Sequence, residues 1–594
     1  MLLKEQYLML YSRFADGNEA GTPVKVTLEE LADALCCTVR NAKLILKKLV
    51  EEQLIEWLPG RGRGHYSQIT FQEGKEGFLY QLSIGLAKSG DYKQAFEMLS
   101  NYGIGTQAKE RFIDWLNGHF GYKKEEGSEG LPGSDTLIFP VLLSPKTLDP
   151  AEANYAFDSH LQRQIFDRLL SFDEQLERIV PGIAHHWRSD KDATEWTFYL
   201  RKGIRFHNGQ ELTSKDVTYT FERLKKGAQN EWILREVEAI EALGPRVLRI
   251  RLRKPNRIFD RFMCSVGASI LPFELAGIEE NSFWLLPIGT GPFRVISYTK
   301  HRIELAAHTA YHDGRPYLDG VDIVIMPEDC NPESIGYPAV LHTWGEFRQE
   351  GTDEQDYSRN NPGKLRQACT LLSWNLNRNG AQQSEAFRRA VRMIIQPGEM
   401  IAELGGARIL PAFGFRPDDS HAHVIDPLRP ERVRAALKEA AYNGETIQIS
   451  IYDKYKEDAE WIRKRLSEWG ISTEMVDYKS WHVADLTMSS IVLAEDEVCE
   501  IETYENRSSV LKKYLNEERM SWIQARIDDA LSAGNVETRR MILREVEQYL
   551  RDEASVIFLH HRQLNTFLHP FVRGISLNAL GFIDFKDVWL EKHD

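Results

Sequence analysis

Cysteine is scarce. The 594 residues hold six, none in a CxxC pair, with two adjacent at Cys36-Cys37. That is too sparse for a disulfide framework and fits reduced thiols in the cytoplasm. Long apolar runs are missing as well: nothing approaches the roughly 18 uninterrupted apolar residues of a membrane span. The opening segment, Met1 to Phe14, mixes apolar and charged residues at helical spacing. It has no continuous apolar core and no cleavage-like site, so no secretory signal is expected. Catalytic signatures are also lacking, with no GxSxG, HExxH, Walker A or paired Cys/His arrangement, so neither an enzyme nor a cofactor is expected. A net charge of −14 excludes a uniformly basic surface, although a whole-chain sum hides local asymmetry.

The asymmetry sits near the start. Thr27 can N-cap a short helix running to Leu35, with Glu30 closing a capping box. A tight turn at Cys36-Cys37-Thr38 leads to a second helix, Val39 to Glu52. There Val39, Ala42, Leu46 and Leu49 recur at helical spacing, while Arg40, Asn41, Lys43 and Lys47 fall largely on other faces. Leu54 to Leu58 and Tyr66 to Phe71 read as two short strands. The glycine-rich basic tip between them carries Arg61, Arg63 and His65. Between Thr38 and Phe71 basic residues exceed acidic ones by three. This is the pattern of a winged helix-turn-helix. Thr38, Arg40, Asn41 and Lys43 stand where a recognition helix meets base edges. Arg suits guanine and Asn suits adenine, because each pairs bidentately. Lys47 and Lys48 are placed for phosphates, and Arg61, Arg63 and His65 for a groove or backbone contact. A phosphate-cradling loop is the rival reading of Gly60, Gly62 and Gly64, but GxxxxGK[ST] spacing is absent and no helix follows.

The chain is too long for one core, and about three or four folding units are expected. We divide it into a winged helix at 1–74, a helical connector at 75–122, a polar glycine-containing linker at 123–134, and an α/β body at 135–594. A second lobe of that body spans about 375–545. In the connector, Phe78, Leu82 and Leu86, then Phe96 and Leu99, then Phe112, Trp115 and Leu116, form three amphipathic stretches. Gly103 to Ala108 superficially fits GxGxxA, but it lies between helices and reads as a loop.

The body carries an ordered series of motifs. They are Leu161–Leu170, Val180–Trp187, Trp196–Gly209, Leu212–Phe221, Ile288–Phe293, Tyr311–Gly320, Leu372–Asn377 and Phe387–Val391. This series resembles the family-5 solute-binding proteins, the oligopeptide- and nickel-type receptors of ABC importers. A winged helix ahead of such a body is similar to the SgrR-type regulators, which control responses to sugar-phosphate stress; Ala184–Trp187 and Pro287–Pro292 agree with that subgroup. The resemblance implies a type II periplasmic-binding-protein-like α/β body with two lobes, serving as the effector domain of a cytoplasmic transcription factor. One departure separates the chain from peptide receptors. No Asp-Tyr-x-Asp-Pro-like run occurs near Asp485, and nothing in the sequence fixes a sugar phosphate as the ligand.

A binding cleft wants a few fixed polar groups among aromatic walls. Tyr155, Trp374, Asn375 and Asp485 suit that role, and each suits core or hinge packing equally. His560 and His561 join them because the family strand there runs beside the cleft. The pairs His185-His186 and His560-His561 also invite a metal reading. Adjacent side chains in an extended segment point to opposite faces, and no cysteine or carboxylate stands at ligand spacing, so no metal is expected. The acidic run Glu495 to Glu500 reads as a solvated loop. The functional expectation is a DNA-binding regulator whose body senses a small molecule, such as a sugar, a sugar phosphate or an oligopeptide. Its partners would be double-stranded DNA and that effector, with no membrane; signalling through homodimer geometry is one arrangement this permits. The rivals are a transport-class solute-binding protein and a scaffold whose winged helix binds protein.

Overall fold

The computed structural model describes residues 3–60, 66–119, 121–125, 134–141, 144–153, 155–173, 176, 178–326, 340–343, 366–417, 427–493, 497–568, 572–574 and 584–590. The chain divides into two compact units. The first comprises Met1–Ser144, Ile296–Leu305 and Gly320–Ala339, and the second Pro145–Val295, Ala306–Asp319 and Val340–Asp594.

The first unit opens with α1 (Leu3–Phe14), β1 (Pro23–Val26), α2 (Leu28–Ala34), α3 (Val39–Glu51), β2 (Ile55–Leu58) and β3 (Ser67–Phe71). The capping box at α2 is formed. The Glu30 amide donates to Thr27 Oγ1 at 3.2 Å, and the Thr27 amide donates to the Glu30 carboxylate at 2.7 Å. Cys36 takes a left-handed conformation, φ 51°, in the turn between α2 and α3. The sheet has three strands rather than two, in the order β1-β3-β2. Pro23 opens an edge strand, where its missing N–H costs no ladder bond. The apolar stripe of α3 also differs from expectation. Ile45 joins Ala42, Leu46 and Leu49 in the core, while Val39 at the helix start is exposed.

The connector forms α4 (Lys75–Lys88), α5 (Tyr92–Tyr102) and α6 (Ala108–His119). It shares one hydrophobic core with the winged helix and with strand residues from much later in the chain. Tyr7, Leu46, Leu79, Phe96 and Phe112 belong to the same cluster as Ile138, Val324 and Met326. The polar stretch expected as a linker begins as a strand. β4 (Gly121–Glu125) pairs antiparallel with β5 (Ser134–Val141), Tyr122 opposite Leu137 and Lys124 opposite Asp135. Lysines suit an edge position, where they discourage pairing with another chain; residues 126–133 lie outside the described residues. β5 pairs in parallel with Gly320–Ile325, a strand buried on both faces, as parallel strands are. The full order of this sheet, named by its strands, is 293–298, 302–307, 320–325, β5, β4.

The second unit contains a four-stranded antiparallel sheet built from Ala184–Ser189, Glu195–Leu200, Val247–Leu252 and Val237–Gly244. It also contains a seven-stranded sheet in which Val556–Leu568 and Arg366–Trp374 pair with each other. The acidic run is a correction to the sequence reading: Glu497–Glu505 is a helix, and Glu497 and Glu500 are buried. Glu497 is neutralised by Arg261 at 2.7 Å and Arg539 at 3.3 Å, which makes burial of the carboxylate tolerable. Among the described residues, no helix is long and apolar enough to cross a membrane.

Glycines in the Ile288–Phe293 motif have a steric cause. A Cβ on Gly289 would lie 1.9 Å from the Ile165 carbonyl oxygen, and one on Gly291 would lie 2.5 Å from the Ile165 carbonyl carbon. The same turn holds His207, whose Nδ1 accepts from the Gly289 amide at 3.2 Å while Nε2 lies 3.1 Å from the Gly291 carbonyl. That pattern fixes a neutral imidazole protonated on Nε2. Burial pushes its pKa down to about 4, opposed by the Gly291 carbonyl. Histidine-selective NMR is therefore expected to show His207 neutral through pH 6 and titrating near 4. A midpoint near the ordinary value of about 6.5 would contradict this environment.

Candidate nucleic-acid interface and binding body

The head presents α3 as its accessible element. Thr38 caps the helix, its hydroxyl accepting from the Asn41 amide at 3.3 Å. Beyond the cap, Arg40, Asn41, Lys43, Lys47 and Lys48 are all exposed, as is Thr38 itself. Arg40, Lys43, Leu44 and Lys47 recur at three- and four-residue spacing and so share one face. Lys47 also lies 3.7 Å from Glu51 one turn on. Leu44, 55% exposed in the middle of this basic face, is absent from the sequence-derived contacts, which are all polar or charged. An exposed leucine among cations has the chemistry to meet a thymine methyl group. At the wing base, the Gly60 amide donates to Ser67 Oγ at 3.1 Å. Arg61, Arg63 and His65 at the tip lie outside the described residues.

The connector meets the sheet at a charged contact. Arg302 forms a two-pronged pair with Asp322, at 2.6 and 2.7 Å. Gly90, with φ +87°, lets the chain pass close, since a Cβ there would stand 3.3 Å from Arg302 Cδ. Tyr92, which opens α5, is buried beside this pair, and its hydroxyl is 3.2 Å from His119 Nε2. Burial, then the Asp322 carboxylate, raises the phenol pKa well above its ordinary value.

The ligand candidates in the body fall into separate places. Trp374, Asn375 and Asp485 come together. Trp374 is 1% exposed and packs on Phe387, with ring centroids 5.8 Å apart. Asn375 donates to the Ala484 carbonyl at 3.2 Å, and Asp485 accepts from the Gln448 amide at 2.9 Å. Their polar atoms tie strand ends together. Asn375 alone also lines a cavity of about 500 Å³, with Arg378, Trp481, Lys513 and Tyr514 among its walls.

His560 and His561 lie toward the other end of the paired strands, opposite Thr370 and Cys369, whereas Trp374 pairs with Leu486 at the far end. Both histidines are fully buried. His560 Nε2 meets Asp458 at 2.7 Å, and Arg408 grips the same carboxylate with Nε and Nη2 at 2.9 and 3.0 Å. Burial opposes ionisation of Asp458, but the hydrogen bonds and charges of His560 and Arg408 prevail and hold its pKa well below the usual carboxylate range. Burial pushes His561 down to about 4. Next in the chain is Arg562, 6% exposed.

An aromatic cluster adjoins it. Tyr452 and Tyr478 stack at 3.5 Å, Tyr455 is buried, and Arg562 stands 5.8 Å from the Tyr455 ring centre. Tyr155 is half-buried with Lys146 5.1 Å from its ring centre, and it is close enough to Tyr452 to help raise that phenol's pKa, after burial and Tyr478. Arg408, Asp458 and Arg562 were absent from the sequence-derived set, because a buried ion pair formed across 50 residues leaves no local pattern. Among the described residues, no group of three or more His, Cys, Asp or Glu side chains is arranged to hold a metal ion.

A winged helix joined to a two-lobed solute-binding body is the class that this architecture defines, and comparison with known proteins agrees. Residues 2–118 match the family model for the sugar transport-related sRNA regulator N-terminus, and residues 178–495 match that for the bacterial extracellular solute-binding proteins, family 5 middle region. The chain is 31% identical over 593 residues to the uncharacterized protein YhjP of Bacillus subtilis, covering 97% of each. It is 25% identical over 600 residues to the HTH-type transcriptional regulator SgrR of Yersinia enterocolitica, covering 99% of the chain and 98% of its relative. Among solved structures, the peptide-bound periplasmic binding protein DppA of Helicobacter pylori superposes with a TM-score of 0.64 at 20% identity, over 77% of this chain and 98% of DppA. The chain belongs to the SgrR-type family, with a family-5 solute-binding domain behind its N-terminal region.

Proposed function

We propose that this chain is a cytoplasmic transcriptional regulator that binds duplex DNA through α3 and its wing, and that a small molecule taken up by the body changes the DNA affinity. The observation that carries the reading is the exposed face of α3, where Arg40, Lys43 and Lys47 surround Leu44 on a capped helix. A helix meant only for solvent has no use for an exposed leucine framed by cations, whereas a major groove offers both phosphates and methyl groups. The name of the Yersinia relative, a transcriptional regulator, supports the same reading.

Signal transfer has a physical route within the first unit. α4, α5 and α6 share one core with α1 to α3 and with Ile138, Val324 and Met326. A displacement of those three residues is therefore transmitted through packed side chains, which deform little. Effector and DNA then bias one equilibrium, and each alters the affinity for the other by the same factor.

The test is fluorescence anisotropy of the full chain against duplexes from upstream of its own and neighbouring genes. One fragment is expected to bind at least about 10³-fold more tightly than unrelated DNA. Equal affinity for every fragment would remove the regulator reading and favour a head that contacts protein.

A further inference from the structure

Two adjacent thiols, Cys36 and Cys37, form the whole connection between α2 and α3. Leu35 caps the end of α2 and Thr38 the start of α3, so nothing else lies between the caps. The Cys36 amide donates to the Asp33 carbonyl at 3.0 Å, and the Cys37 amide to the Ala32 carbonyl at 2.9 Å, which closes α2. Cys36 holds a left-handed backbone, φ 51°, the conformation that such a helix end usually gives to glycine and that strains any other side chain. Among the described cysteines, Cys36 alone is exposed, while Cys37 and Cys499 are half-buried and Cys264 and Cys369 are buried. Cys37 also packs against the core of the head.

An accessible thiol beside a second, resolving thiol is the arrangement that a peroxide oxidises reversibly. The peroxide turns the Cys36 thiol into a sulfenic acid and releases one water. The Cys37 sulfur then attacks the sulfenic sulfur, the S–S bond forms, and the hydroxyl leaves with the Cys37 proton as a second water. Two thiols have given up two electrons and two protons, and the peroxide has taken them. The turn cannot absorb this bond as it stands. Neighbouring Cα atoms lie about 3.8 Å apart across a trans peptide, short of the roughly 4.4–6.8 Å that disulfides span. Closure therefore moves the backbone of both residues. Thr38, whose hydroxyl accepts from the Asn41 amide, is next in the chain, so the movement reaches the first turn of α3, where Arg40 and Asn41 stand. A strained disulfide is also readily reduced, which suits a site that cellular thiols reset.

We propose that Cys36 and Cys37 are a reversible oxidation site, closed by a peroxide to a disulfide between neighbours, and that closure withdraws α3 from DNA. The effect on DNA rests on the regulator reading; the oxidation site stands without it.

The full chain, reduced and then treated with hydrogen peroxide, is followed in two ways. One is the mass of the peptide that carries residues 36 and 37, and the other is anisotropy against the selected duplex. Wild type is expected to lose two hydrogens from that peptide and about tenfold or more in DNA affinity, the scale of one lost base contact. Dithiothreitol should restore both. Cys37→Ser should stop at one added oxygen on Cys36, trapped by dimedone. Cys36→Gly, which suits the left-handed turn, should keep its affinity through peroxide, and Cys499→Ser should respond as wild type does. A peptide that keeps both hydrogens, or that oxidises no faster than the peptide of Cys499, would overturn the site. A disulfide that leaves DNA affinity unchanged would overturn the switch. Reduced protein with no preferred duplex would remove the regulator reading and the DNA effect with it, while the mass still decides the oxidation site.

Discussion

Asp458→Ala is expected to destabilise the second unit by about 3–5 kcal/mol, the typical cost of removing one partner from a buried ion pair. Asp458 is fully buried, and Arg408, with its side chain 3% exposed, sets two prongs on it. Removing the carboxylate leaves the Arg408 Nε–H and the His560 Nε2–H without this acceptor, away from water, and leaves the guanidinium only the exposed Glu457 and the Gly405 carbonyl. The cost comes from the charge left behind more than from the attraction lost. A double change, Asp458→Leu with Arg408→Met, is therefore expected to recover much of the loss, because paired replacement by apolar groups of similar volume is often close to neutral. Urea denaturation of the three variants checks both statements. A single change that costs under about 1 kcal/mol would mean that the pair is solvated.

Changes on α3 should leave stability alone and act on DNA. Arg40→Ala with Lys43→Ala is expected to weaken binding to the selected duplex by about 2–6 kcal/mol, since each good base contact contributes about 1–3 kcal/mol. Binding to unrelated DNA should fall much less. Lys47→Ala with Lys48→Ala should lower affinity for all duplexes alike, as loss of phosphate contacts does. Leu44→Ser tests the apolar part of the face: it is expected to change sequence preference at one position while the salt response stays the same. All these side chains are exposed, and none belongs to the core. Melting temperatures close to wild type are therefore expected, and they separate the loss of contacts from the loss of fold.

The legible parts of this protein were those written in local periodicity. Thr27 and Glu30, three residues apart, announced the start of α2, and the spacing of Ala42, Leu46 and Leu49 announced α3. The three connector helices followed from Phe78, Phe96 and Phe112 and their neighbours. The missed parts depend on partners distant in sequence. Pro23 to Val26 is too short to read as a strand until β3 offers its edge. Glu495 to Glu500 reads as a solvated acidic run until Arg261, 236 residues before Glu497, is found against that carboxylate. The connector reads as a spacer until Val324 and Met326 appear in its core. In the body, Tyr155 follows from residue type, and His560 and His561 from the family resemblance. Arg408 and Asp458, 50 residues apart, and Arg562 are brought together only by the fold.

Whether the basic face of α3 meets duplex DNA decides what the head does. The direct measurement is the affinity of the full chain for its selected duplex across salt from about 50 to 200 mM, plotted as log K against log salt. A negative slope is predicted, and it should become shallower by about two units when Lys47 and Lys48 are replaced, at about −0.9 for each phosphate neutralised. A slope near zero, or one unchanged by replacing these lysines, would contradict the account and return the head to the role of a protein-binding module.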